Sequence, residues 1–173
     1  MASQLMALSA VNRSQVIRYW QMLNVLLMAG LVGGFTEIVW ITLYSQVAQI
    51  NVADVSRQII ASVVPSVAAT AIAPWLGVVV HLLLSVLLVF AFGALLWLPI
   101  ARRFRSALTI VSITATLALV WVINFFIVLP HINPTFTTLM PYPITFISKL
   151  LFGLAAGSWI HRAQQGGQLV PIV

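Results

Sequence analysis

Charge is what this sequence has least of. Ten of its 173 residues are charged, and only Glu37 and Asp54 are acidic. A soluble domain carries roughly a quarter charged residues, so ten could not cover a fold of this size in water. Cysteine is absent. That excludes disulfides, thiolate zinc sites, Fe–S clusters and haem attached through C-x-x-C-H. No G-x-S-x-G nucleophile elbow and no glycine-rich phosphate loop is present. Ser85 lies one turn from His81, but nothing completes a nucleophilic triad.

What is present is apolar. Hydrophobic residues make up 62% of the chain and the mean hydropathy is +1.11. The surrounding medium is therefore expected to be lipid. A formal charge of +6 and a pI near 11.3 would point to nucleic acid in a soluble protein. Here the arginines flank apolar runs, as topology signals do, and no nucleic-acid partner is expected. The start, MASQLMALSAVNRSQ, has no basic residue ahead of its short apolar core, unlike a cleaved signal peptide. Ser3 to Ala10 reads as a short interfacial helix or a flexible lead-in.

A membrane helix needs about 20 mainly apolar residues. Four stretches qualify, at about 19–45, 75–100, 108–129 and 144–160. Pro74, Pro99, Pro130, Pro141 and Pro143 mark their ends, because proline lacks an amide hydrogen and disfavours helix in the residue before it. Tyr19, Trp20, Tyr44, Trp75, Trp97, Tyr142 and Trp159 gather where interfaces would lie. The expected fold is all-α: one membrane domain over residues 1–173, a four-transmembrane-helix bundle. Arg13, Arg18, Arg102, Arg103, Arg105 and Arg162 all fall on one side of that topology, and Arg57 alone on the other. The excess of positive charge puts both termini and the ARRFR loop in the cytoplasm, with a bacterial cytoplasmic (inner) membrane as the expected location.

The two outward connections carry structure of their own. In 46–74, Val52, Val55, Ile59 and Val63 recur at helical spacing, with Asp54, Arg57 and Gln58 off that stripe. This predicts an amphipathic helix on the outer surface, equally suited to be a lid or a docking face. The proline-rich stretch LPHINPTFTTLMPYP is expected to be ordered, extended and rigid, and to join 46–74 as an outer cap. Residues Val39-Trp40-Ile41 parallel Val120-Trp121-Val122, and QIN at 49–51 parallels HIN at 131–133. Spans one and two would then repeat as spans three and four, in parallel, about an axis normal to the membrane.

Each span holds one strongly polar residue: Glu37, His81, Asn124 and Lys149. All four fall six to eight residues inside an outer helix end, which is roughly 9–12 Å at 1.5 Å per residue. Three stripes carry Glu37, Asn124 and Lys149 inward. Gly30, Gly33, Glu37, Trp40 and Tyr44 form the first, and Thr109, Ser112, Thr116, Val120 and Asn124 the second. The third holds Lys149 with the GxxxG pair Gly153 and Gly157. A charged side chain at mid-membrane costs about 2.5–3.5 kcal/mol on insertion scales, so these groups are expected to meet.

The cluster suits a proton or cation site, with Glu37 and His81 titrating and Lys149 setting the field. A structural ion pair that fixes helix register, or a Lys149 reaching to the headgroups, explains the same residues. His81 and His131 are weak candidates for a metal, since no ligand spacing accompanies them, and His81 alone could be an axial haem ligand. The cofactor stays open, and lipid is the expected small-molecule contact. Two function classes follow. One is a non-catalytic subunit of a larger membrane complex, respiratory or other redox assemblies included. The other is a small proton- or cation-coupled transporter or channel using Glu37 and His81. Enzymatic activity of the chain by itself is not expected. Its partners would be other membrane subunits or further copies of the same chain.

Overall fold

The computed structural model describes residues 2–97 and 107–167. The ARRFR loop with Arg102, Arg103 and Arg105, the proline at 99 and the side chain of Arg13 lie outside the described residues. No strand occurs among the described residues. Helix α1 runs Ala2–Val47, so Ser3 to Ala10 continue it. It stops where Gln49 takes a left-handed conformation, φ 56°, and the Ile50 amide returns to the Ser45 carbonyl at 2.9 Å, as in a Schellman turn. Asn51 then caps α2, Val52–Val63, by accepting from the Ala53 amide at 2.9 Å. After a 3₁₀ turn at Pro65–Val67 comes α3, Ala73–Phe92, with Pro74 in its first turn. A π turn, Gly93–Trp97, extends it.

Helix α4, Ala107–Ile123, also widens into a π turn at Asn124–Val128 and then continues as α5, Leu129–Ile132. Pro130 cannot donate to the preceding turn. The wider turn, in which the Leu129 amide reaches the Asn124 carbonyl, carries the chain past it. Pro130 was expected to end this span and instead sits inside it. The connection after it is ordered but not extended: α5 and α6, Pro134–Leu139, are short helices. Asn133 caps α6, and Pro134 follows in its first turn. The chain closes with α7, Tyr142–Gln165.

Four helices, Gln15–Val47, Ala73–Leu95, Leu108–Ile132 and Tyr142–Gln165, are long and apolar enough to cross a membrane. The chain is an integral membrane protein. Neighbours run antiparallel, in the order α3–α1–α7–α4. Gly33 meets Phe152, Gly30 meets Val86, and Gly153 meets Thr114. Among the described residues α3 and α4 share no packed face. The two halves share an element order: a span, an Asn-capped short helix, a span. The packing does not follow it. A two-fold carrying α1 onto α4 and α3 onto α7 would make α3 and α4 pack as α1 and α7 do.

In lipid, apolar burial gives little drive to helix association; close fit and hydrogen bonds supply it. One half of the bundle is packed, with Leu26, Val89, Phe92, Ile113, Leu117 and Phe152 among its buried residues. A Cβ on Gly153 would lie 2.6 Å from the Thr114 Cα, and one on Gly157 would lie 2.9 Å from the Ile110 Cα, so α7 and α4 touch backbone to backbone. The other half, under α2, α5 and α6, is open between α3 and α4.

Candidate functional site

The site is built by two adjacent glycines. A Cβ on Gly33 would lie 1.8 Å from a ring carbon of Phe152, and one on Gly34 would lie 2.7 Å from the Ser85 hydroxyl. Gly33 therefore admits α7 and Gly34 admits α3, on two sides of α1. One turn further along α1, Lys149 and His81 reach Glu37 from those two sides.

Lys149 Nζ lies 2.8 Å from both carboxylate oxygens of Glu37. Ser148 Oγ lies 2.8 Å from Glu37 Oε1 and 2.7 Å from the Thr145 carbonyl. The hydroxyl has one proton for those two acceptors. His81 Nε2 stands 3.7 Å from Glu37 Oε2, beyond hydrogen-bond reach, and 3.2 Å from the Gly34 carbonyl. A carbonyl only accepts, so Nε2 carries the proton in that contact and Nδ1 of the neutral ring holds a lone pair. Ser85 donates to the His81 carbonyl at 2.8 Å, away from the imidazole. The Lys149 ammonium also stands 5.7 Å from the centre of the Phe152 ring, within cation–π range.

Asn124 does not join them. It is half-buried at the start of the π turn and lines the same cavity, with no hydrogen bond to Glu37, His81 or Lys149 among the described residues. The stripe on α4 was expected one position away from where it lies. The buried residues are Thr109, Ile113, Leu117, Trp121, Phe125 and Leu129, while Ser112, Thr116, Val120 and Asn124 flank them, half-buried. On an α-helix an every-fourth stripe drifts by about 40° per step. The wider π turn drifts the other way and brings Phe125 and Leu129 back over α7 and α6.

Glu37, His81, Lys149 and Asn124 all line a cavity of about 300 Å³. Its walls are α3 and α4, its floor is α1 and α7, and α2 covers it. The apolar stripe Val52, Val55, Ile59 and Val63 faces this cavity rather than an outer membrane surface. Trp121 donates to the Thr145 hydroxyl at 3.1 Å and stacks on Phe125, with centroids 5.2 Å apart. Trp40 donates to the Ile144 carbonyl at 3.1 Å. Of these partners, Ser148 and Thr145 escaped the sequence reading. Their signal was the segment T-F-I-S-K, which sets both hydroxyls within a turn of Lys149.

The cover is clasped by Asn133. Its Nδ2 lies within 2.9–3.1 Å of the Gln58 carbonyl, Gln58 Oε1 and Ser62 Oγ, while its Oδ1 accepts from the Phe136 amide at 3.3 Å. One buried side chain thus caps α6 and ties it to α2. Asn133→Ala is expected to cost about 1–3 kcal/mol, from the lost cap and the orphaned acceptors. Unfolding in mixed micelles measures it, and a loss below a few tenths would mean that the clasp holds nothing.

His131 donates to the Ile127 carbonyl through Nδ1 at 2.6 Å, and its side chain is exposed. His161 pairs with Gln165 at 3.0 Å. Among the described residues no three His, Asp or Glu side chains converge as metal ligands. His81 presents Nε2 to Gly34, so iron ligation through that nitrogen would first have to break the contact. No protein-family model matches this chain, and no curated protein or solved structure matches it.

Proposed function

We propose that the chain is a non-catalytic integral-membrane subunit of a larger membrane assembly, respiratory and other redox complexes included. The observation that carries this is the unpacked seam between α3 and α4, which opens onto the cavity that holds Glu37, His81 and Lys149. A helix of another membrane subunit packed on that seam would close it. Here the buried carboxylate is matched within the chain by Lys149 and Ser148, while Ser85 is turned to its own backbone. That is how register is fixed, not how a nucleophile is prepared. Antiparallel packing of α1 on α7 puts Arg18 and Arg162 at one end of the bundle and α2, α5 and α6 at the other. Exposed Arg57 sits 3.7 Å from Asp54, which offsets its charge. This favours cytoplasmic termini in a bacterial inner membrane and a cavity in the outer leaflet.

Purification from its native membrane in mild detergent, with mass and visible absorption read together, tests the proposal. Co-eluting subunits are expected. A colourless particle containing this chain alone would sink it.

The gap of 3.7 Å between His81 and Glu37 favours a second reading, a proton- or cation-coupled transporter or channel. In proteoliposomes, Glu37→Gln would then abolish coupled flux, at least tenfold. Under the subunit reading the same change lowers only assembly yield.

A further inference from the structure

We infer that the cavity beside Glu37 is a binding site for an uncharged amphiphile that carries a hydroxyl head group on an apolar body. The inference goes beyond the subunit reading and needs no partner chain, so the two can fail separately.

The polar end of the cavity is specific. Glu37 is 6% exposed, while Lys149 and His81 are 16% and 15% exposed, so an occupant meets the two nitrogen groups before the carboxylate. Lys149 has three N–H donors, and two are directed at the Glu37 oxygens. The third has no acceptor among the described residues. His81 gives its Nε2 proton to Gly34, which leaves the Nδ1 lone pair without a partner among the described residues. Lys149 and His81 both line the cavity beside Glu37, so its polar end carries one donor and one acceptor. A hydroxyl suits such a pair, since it accepts from an ammonium and donates to an imidazole lone pair. A carbonyl would use only the donor.

Charge points the same way. Glu37 and Lys149 cancel, and a carboxylate or ammonium head would add an uncompensated charge at low dielectric, which is costly. The body of the ligand is set by the walls. Val55, Ile59, Val78, Leu88, Trp121 and Phe125 are among the lining residues. The 300 Å³ holds roughly ten groups of water or methylene size at about 30 Å³ each. A longer chain would leave through the α3–α4 seam into lipid.

A long-chain alkanol, an alkyl hydroquinone and a diacylglycerol present this head group on three different bodies. The test uses the purified full chain in detergent with dodecanol, decyl hydroquinone and dioleoylglycerol. Tryptophan fluorescence, with Trp121 in the cavity wall, reads uptake, and native mass spectrometry reads stoichiometry. Saturable one-to-one uptake of at least one probe is expected, and the probe that binds identifies the source. His81→Phe, which removes the acceptor and spares the ion pair, should weaken uptake at least tenfold. Val120→Trp, which fills the cavity, should do the same. Dodecane and dodecanoate should not compete. Should either variant fail to fold, this competition series on the unaltered chain still decides. Saturable uptake of none of the three probes overturns the inference. So does equal competition by dodecane or dodecanoate, or uptake unchanged in a folded Val120→Trp.

Discussion

Lys149→Met is expected to destabilise the protein by about 3–5 kcal/mol, because removing one member of a buried ion pair leaves the other unmatched. Glu37 is buried, and Lys149 contacts both of its oxygens at 2.8 Å. Ser148 carries no charge, and His81 stands 3.7 Å from the carboxylate, beyond hydrogen-bond reach. The companion expectation is sharper. Glu37→Gln combined with Lys149→Met should recover most of the loss, since the cost lies in the orphaned charge and not in the missing contact. Reversible unfolding in mixed micelles gives both numbers. If the double variant is as unstable as Lys149→Met alone, the pair is not the source of the effect.

Gly77→Ala is expected to detach α2 from α3. A Cβ at Gly77 would lie 1.9 Å from the Ser56 carbonyl oxygen and 2.6 Å from its carbon. Both are backbone atoms, so no rotamer change relieves the clash. Overpacking of this kind costs about 1–3 kcal/mol and sometimes more. The local effect is the larger one. Helix α2 covers the cavity through Val55 and Ile59, and Asn133 holds it through Gln58 and Ser62. Amide hydrogen exchange over residues 52–63 should quicken at least tenfold while α7 keeps its protection. Unchanged protection of α2 would show that the helix is held by something other than its fit to Gly77.

The parts of this molecule legible in its sequence are those fixed by length and composition. Four apolar runs of 17 to 27 residues leave few alternatives, since about 17–25 residues span a bilayer. Glu37 and Lys149 were worth pairing because an isolated charge in lipid is costly. The misread faces share one cause. In a membrane protein the lipid-facing, core-facing and cavity-facing surfaces are all apolar, so periodicity finds a stripe without saying what it faces. The stripe Val52, Val55, Ile59 and Val63 was read correctly as helical and turns to a cavity. Ser112, Thr116 and Asn124 looked like the packed edge of α4, yet Ile113, Leu117 and Phe125 fill that place. Pro130 reads as a stop in any local rule, and only the π turn before it lets the helix run on.

Glu37 and Lys149 are 112 residues apart in the chain. At roughly 5–20 residues per second, a ribosome needs about 6–22 s to reach the second after making the first. His81, 44 residues on, arrives sooner, after about 2–9 s at that rate. The newborn α1–α3 hairpin thus waits in the bilayer with its carboxylate beside a histidine and no lysine. During that wait the hairpin rests on the backbone approach at Gly30 and the Ser85 contact at Gly34. Biogenesis, rather than the finished protein, is where those two glycines are tested hardest.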